Sequence, residues 1–195
     1  MSKILITGIG GFVGGHLIDA LLQYQPDESY IGLHYPGLCC SHLSEKVDLQ
    51  PIDITDSKKL INTLESVRPD YIVHLAAIAF VPDSSKDPLR TWEINLTASL
   101  RILEWIRTKS PKTRMLVVST SEIYGVPQYI PVDEKHPLAP NNVYSATKAA
   151  LDIAAGQYLL ANDLNIAAVR AFTRYNRSCD QCRQPVGKAG LHRCT

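Results

Sequence analysis

Tyr144 and Lys148 bracket the run Tyr144-Ser145-Ala146-Thr147-Lys148, an interval of four that sets both side chains on one face of a helix. An ammonium beside a phenol, with the positive amino-terminal end of the helix nearby, favours the phenolate and lowers the pKa of Tyr144. A tyrosine tuned in this way takes and returns a proton near neutral pH. The interval also occurs by chance in many helices, so its weight depends on what surrounds it.

Upstream lies Ser119-Thr120-Ser121-Glu122-Ile123-Tyr124-Gly125, at the carboxyl end of a predicted strand, where ligands bind in open α/β sheets. A hydroxyl from Thr120 would hydrogen-bond the same substrate oxygen that Tyr144 serves. Glu122 is the carboxylate of the segment suited to general-base work. Read alone, the segment is equally an ordinary loop with capping hydroxyls.

The third constellation is Thr7-Gly8-Ile9-Gly10-Gly11-Phe12-Val13-Gly14-Gly15-His16-Leu17, in which Gly8, Gly11 and Gly14 stand three apart. Lys3 to Thr7 before it reads as a strand, and Phe12 to Tyr24 after it carries apolar residues at helical spacing. A glycine turn between strand and helix lets backbone approach a pyrophosphate, whose charge meets free amides and the helix dipole. Residue 13 is Val, so the spacing is the three-apart variant rather than Gly-x-Gly-x-x-Gly. An acid at the end of the second strand would bind a ribose 2′-hydroxyl and repel a 2′-phosphate. The residues there are Leu33, His34 and Tyr35, which favours NADP over NAD and makes His34 a phosphate neighbour or merely the end of a strand.

The elements that must hold these residues alternate along the chain. Strands are expected near Tyr30 to Leu33, Val47 to Ile52, Tyr71 to Leu75, Met115 to Ser119 and Ile166 to Arg170. Helices are expected over Ser57 to Val67, Pro88 to Thr108 and Asn141 to Ala161. Asp87 before Pro88 reads as a cap followed by a proline at the first helical position, and Asn141 as the cap of the later helix. Residues 121 to 140 form a long loop with four prolines. Strands separated by helices imply an α/β fold, a doubly wound parallel sheet with helices on both faces.

Composition bounds the function. The 195 residues are 45% hydrophobic, enough for one sizeable core, and twenty Lys and Arg balance nineteen Asp and Glu. That balance argues against nucleic acid or an acidic membrane as partner and leaves a small molecule as the default. No apolar run approaches the ~18 residues of a membrane span, and the five Cys do not make a disulfide framework, so a cytoplasmic protein is expected.

Together these runs resemble the extended short-chain dehydrogenase/reductases, the NAD-dependent epimerase/dehydratase family that acts on nucleotide sugars. The resemblance covers residues 3 to about 172. Its marks are Thr-Gly-x-x-Gly-Phe-Val-Gly at 7 to 14, Asp53, His74-Leu75-Ala76-Ala77, Asn95, Ser-Thr-Ser-Glu-x-Tyr-Gly at 119 to 125, Tyr-x-x-x-Lys at 144 to 148 and Arg-x-Phe at 170 to 172. It implies an NAD(P)-binding Rossmann domain. Gly8, Gly11 and Gly14 would cradle the pyrophosphate and Asp53 would meet the adenine amino group, with Phe12, Val13, His34 and Ile54 also cofactor-binding. Ala77 would line the nicotinamide side and Lys148 would hold its ribose, with Leu75, Ala76, Asn95 and Tyr144 as further cofactor-binding residues. Thr120, Glu122, Tyr144 and Lys148 would be the catalytic set, with Thr120 and Tyr144 at the sugar C4 oxygen.

Within that family, Phe12-Val13-Gly14, Val81-Pro82-Asp83 and Asp87 to Thr91 look most like GDP-4-keto-6-deoxy-mannose reductases, while Ser-Thr-Ser-Glu resembles GDP-mannose 4,6-dehydratases. The resemblance therefore implies a GDP-hexose as substrate and reduction at C4, with dehydration or 4-epimerisation as alternatives and a homodimer as the assembly. A truncated, non-catalytic dinucleotide-binding protein is the alternative of another class.

From Thr173 the character changes: five Lys and Arg face one acid, and three of the five Cys fall in residues 173 to 195. Residues 1 to 172 are thus read as the dinucleotide-binding domain and 173 to 195 as a basic Cys-rich tail that builds no core. The family's carboxyl-terminal substrate domain is expected to be missing, as a truncation or a change of reading frame near residue 173 would explain. Cys179, Cys182, His192 and Cys194 offer a zinc set, but His-x-Cys is an unusual second half, and the expectation is no metal.

Overall fold

The computed structural model describes residues 1–172, so the tail and its Cys179, Cys182, His192 and Cys194 lie outside the described residues. Six strands form one sheet: β1 (Lys3–Thr7), β2 (Ser29–His34), β3 (Val47–Pro51), β4 (Tyr71–His74), β5 (Arg114–Thr120) and β6 (Ile166–Ala171). Their order is β3-β2-β1-β4-β5-β6 and every pairing is parallel. This is the doubly wound α/β arrangement, with the order reversing at β1 and β4 so that a crevice opens at their carboxyl ends.

Alternation along the strands sorts the core onto two faces. Ile4, Ile6 and Tyr30 pack with Ile18, Leu17 and Leu21 of α1 (Phe12–Tyr24). Leu5, Ile31, Ile72, Met115 and Val117 pack on the other face with α2 (Ser57–Val67), α5 (Ala98–Lys109) and α6 (Val143–Asn162). The sheet is therefore apolar on both sides, as parallel sheets must be.

Two local expectations are corrected. The single helix expected over Pro88 to Thr108 is preceded by α3 (Val81–Lys86) and divided into α4 (Pro88–Trp92), a π-helical turn (Glu93–Thr97) and α5. The Ala98 amide donates to the Glu93 carbonyl, five residues back, so the turn is one residue wider than an α-helical one. Apolar periodicity does not register one such insertion. The cap of α6 is Asn142 rather than Asn141: its carboxamide accepts from the Ser145 amide at 2.8 Å and the Ser145 hydroxyl closes the box on the Asn142 amide. The proposed cap at Asp87 is present, accepting from the Arg90 amide at 3.1 Å. Among the described residues no helix is long and apolar enough to cross a membrane, and no group of three or more His, Cys, Asp or Glu could hold a metal ion.

Candidate active site

The turn after β1 is held by two amides, Gly8 and Ile9, that both donate to the Leu33 carbonyl at the end of β2 (2.8 and 3.2 Å). Gly8 has φ +70°, and a Cβ there would stand 2.7 Å from the Ala76 backbone, so the loop after β4 packs directly on it. At Gly14 a Cβ would stand 2.3 Å from the Ile9 carbonyl oxygen, which lets α1 close onto the turn. Gly11 caps α1 with no side-chain hydrogen bond, leaving first-turn amides for an anion.

These glycines open on a cleft of about 600 Å³, the size of an ordinary small-molecule site. Gly8, Gly11, Phe12, Val13, Gly14, His34, Asp53, Ile54, Leu75, Ala76 and Ala77 all line it, bringing together residues drawn from four segments of the chain. His34 shares its Nδ1 with the Tyr35 carbonyl at 3.1 Å, and no Lys or Arg is among the lining residues. The Asp53 carboxylate accepts from the Thr55 amide and hydroxyl (3.0 and 2.8 Å) and lies 3.7 Å from Arg90. Sequence reasoning did not assign Leu33, Tyr35, Leu38, Ile52, Ile78, Ala79 and Ile94 of the same lining to the site; only their adjacency to the motifs would have signalled them.

Asn95 is not part of the lining. It is 1% exposed, and its carboxamide is spent on protein: Oδ1 accepts from the Ile78 amide (2.8 Å), while Nδ2 donates to the Ile78 carbonyl (3.1 Å) and the Thr147 hydroxyl (3.0 Å). His74, of the same run as Leu75, is also buried. It lies between the Thr7 and Ser99 hydroxyls, each at 2.7 Å, and burial holds its imidazole down at about 3.

The catalytic candidates meet where β5 ends and α6 begins. The Thr120 hydroxyl accepts from the Glu122 amide at 3.3 Å, and both Thr120 and the Glu122 carboxylate act on the acidity of the Tyr144 phenol. Glu122 is exposed and accepts from the Asn142 carboxamide at 3.3 Å. Lys148 is buried, donates from Nζ to the Val118 carbonyl at 2.8 Å, and is pushed down to about 8 by burial.

The expected lowering of the Tyr144 pKa is not what the free chain has. Burial raises the phenol above its ordinary value, the Thr120 hydrogen bond pulls it down, and the charge of Glu122 pushes it up again. An interval of four fixes the face that Lys148 shares with Tyr144, but the ammonium tip is committed to a strand carbonyl.

A family model described as GDP-mannose 4,6 dehydratase matches residues 5–186. A putative UDP-glucose 4-epimerase of Methanocaldococcus jannaschii is 28% identical over 188 residues, covering 96% of this chain and 60% of that protein. The GDP-mannose 4,6-dehydratase of Yersinia enterocolitica is 32% identical over 160 residues, covering 76% of this chain and 43% of that protein. The UDP-glucose 4-epimerase of Brucella ovis, solved in complex with NAD, superposes with a TM-score of 0.79 at 26% identity, covering 88% of this chain and 52% of that one. Further UDP-glucose 4-epimerases match at 26 to 29% identity. The chain thus spans 60% or less of the length of each of the three relatives just described.

Proposed function

The chain belongs to the NAD-dependent epimerase/dehydratase family of extended short-chain dehydrogenase/reductases, in its nucleotide-sugar branch, and from that premise we propose that it carries the cofactor site and the C4 acid/base of a nucleotide-hexose 4,6-dehydratase. The observation that carries this reading is the junction of β5, which ends in Thr120 and leads to Glu122, with the first turn of α6, which carries Tyr144; the Asn142 carboxamide ties the two by donating to Glu122 at 3.3 Å, one strand away from the glycine turn's neighbour β4. The uncapped first turn of α1 and the cleft against it suit a dinucleotide.

NAD, when bound, would supply the acceptor for the C4 hydrogen of the sugar and its donor later in the cycle. Tyr144 would take the C4 hydroxyl proton, with Thr120 holding the C4 oxygen and stabilising the phenolate. Glu122 would remove the C5 proton as the C6 hydroxyl leaves with a proton as water. A base at C5 is needed for elimination but not for reduction or 4-epimerisation, and the charge of Glu122 acts on the same phenol. The family model and the Yersinia relative support GDP-mannose as first substrate.

The resemblance to a 4-keto reductase gains no support from these relatives, whereas 4-epimerisation of UDP-glucose is favoured by most of them and is the second reading. NAD is the proposed cofactor: no carboxylate at His34 repels a 2′-phosphate, but no cation in the cleft lining attracts one. Incubating the chain with NAD and GDP-mannose or UDP-glucose in D₂O tests the outcome. Deuterium at C5 of a 4-keto-6-deoxy product, lost in Glu122→Gln, is expected. Interconversion of UDP-glucose and UDP-galactose unaffected by that substitution would establish the epimerase, and cofactor binding without turnover the non-catalytic alternative.

A further inference from the structure

Thr147 lies between the catalytic residues Tyr144 and Lys148 in sequence, yet its side chain is fully buried and touches neither cleft nor solvent. Its hydroxyl donates to the Tyr144 carbonyl at 2.7 Å and accepts from Asn95 Nδ2 at 3.0 Å. The same Asn95 carboxamide grips both polar groups of the Ile78 backbone, and Ile78 lines the cofactor cleft together with Ala77 and Ala79. Asn95 reaches both partners from the centre of the π-helical turn Glu93–Thr97, a widened geometry that α-helical neighbours on either side do not share. Every donor and acceptor of the Asn95 amide group that lies between these elements is used, as a buried polar hub requires.

We propose that Thr147 is a positioning residue: through Asn95 it locks the first turn of α6, and with it Tyr144, to the wall of the cofactor cleft at Ile78. Without the hydroxyl, the Asn95 amide loses its tie to α6, and the turn that aims Tyr144 at Thr120 is free to drift outward. The proposal rests on the reading of Tyr144 as the acid/base, and it concerns a residue that touches neither substrate nor cofactor.

The test follows the Tyr144 phenol itself in the full chain. With tyrosine labelled at the ring carbon bearing oxygen, the Tyr144 signal is picked out from the nine tyrosines by its loss in Tyr144→Phe, and its pH titration is recorded. Burial is the largest cause of its raised pKa, so Thr147→Val, which keeps the shape and removes the hydroxyl, should bring the midpoint down by at least ~0.5 pH unit. Thr147→Ser should restore the wild-type titration. An unchanged midpoint in Thr147→Val, even with a lower melting temperature, would mark a merely structural hydroxyl and overturn the proposal; so would a Thr147→Ser protein that behaves like Thr147→Val. Thr147→Ala stands in if the valine protein does not fold, and failure of both to fold also overturns it. No substrate is needed, so absence of turnover, which would count against the proposed function, leaves this result readable.

Discussion

Lys148 Nζ lies 2.8 Å from the Val118 carbonyl oxygen, which anchors the ammonium of α6 to the strand that carries Thr120 two residues further on. Tyr144 and Thr120 are therefore held by a charge buried between their two elements. Burial of that charge is costly, and the cost shows as an amine pushed down to about 8.

Lys148→Met should raise stability in the cofactor-free chain while weakening dinucleotide binding. The folded pKa of about 8 lies below the ordinary 10.5, so the folded state loses its proton first and wild-type stability should climb as pH rises from about 8 to 10.5. Urea unfolding should show Lys148→Met more stable at neutral pH by about 1–3 kcal/mol, with that climb gone. A destabilised methionine protein would mean the Val118 hydrogen bond outweighs the buried charge.

His74 should govern part of the acid unfolding. Its folded pKa of about 3 lies below the unfolded 6.5, so the unfolded chain takes up a proton that the folded chain refuses. Stability is lost as pH falls from about 6.5 toward 3, at a rate of up to ~1.4 kcal/mol per pH unit. His74→Gln should remove one proton from the slope of unfolding free energy against pH in that window, whatever its effect on stability at pH 7; an unaltered slope would contradict the buried neutral imidazole.

Two adjacent glycines should respond in opposite ways. A Cβ at Gly14 meets the Ile9 carbonyl at 2.3 Å, whereas at Gly15 the nearest atom is His42 Nε2 at 3.6 Å. Gly14→Ala is expected to cost about 1–3 kcal/mol or more and to abolish dinucleotide binding, and Gly15→Ala to be neutral or stabilising by up to ~1 kcal/mol. Thermal melts and calorimetric titration with NAD check both.

Cofactor choice should turn on charge at residue 34. His34→Arg supplies the cation that the lining lacks and should improve NADP affinity relative to NAD roughly tenfold. Equal ratios in both proteins would place the 2′ position away from the end of β2.

Much of this was legible in the sequence because it depends on local chemistry. Periodicity and glycine clusters gave all six strands to within a residue or so and the helices Phe12–Tyr24 and Ser57–Val67, and the motif positions from Gly8 to Ala77 share one cleft. What escaped depends on partners contributed by backbone or burial. Asn95 reads as a cofactor contact until the Ile78 amide and carbonyl are seen to consume it. Lys148 reads as a partner of Tyr144 until the Val118 carbonyl is seen to hold it. The choice of Asn142 over Asn141 as cap, and the π-helical turn, rest on shifts of a single residue that composition and apolar spacing do not encode.

In the proposed reaction Tyr144 serves proton transfer at the C4 oxygen of a nucleotide hexose while the C4 hydrogen is moved within the cleft. Its most direct test is the fate of deuterium placed at C4 of GDP-mannose, followed by NMR of the sugar after incubation with the chain and NAD. Wild-type protein should yield a 4-keto-6-deoxy sugar with the label at C6, and Tyr144→Phe should leave the labelled substrate intact while still binding NAD. Label transfer undiminished in Tyr144→Phe, or none in a wild-type chain that binds NAD, would contradict the account.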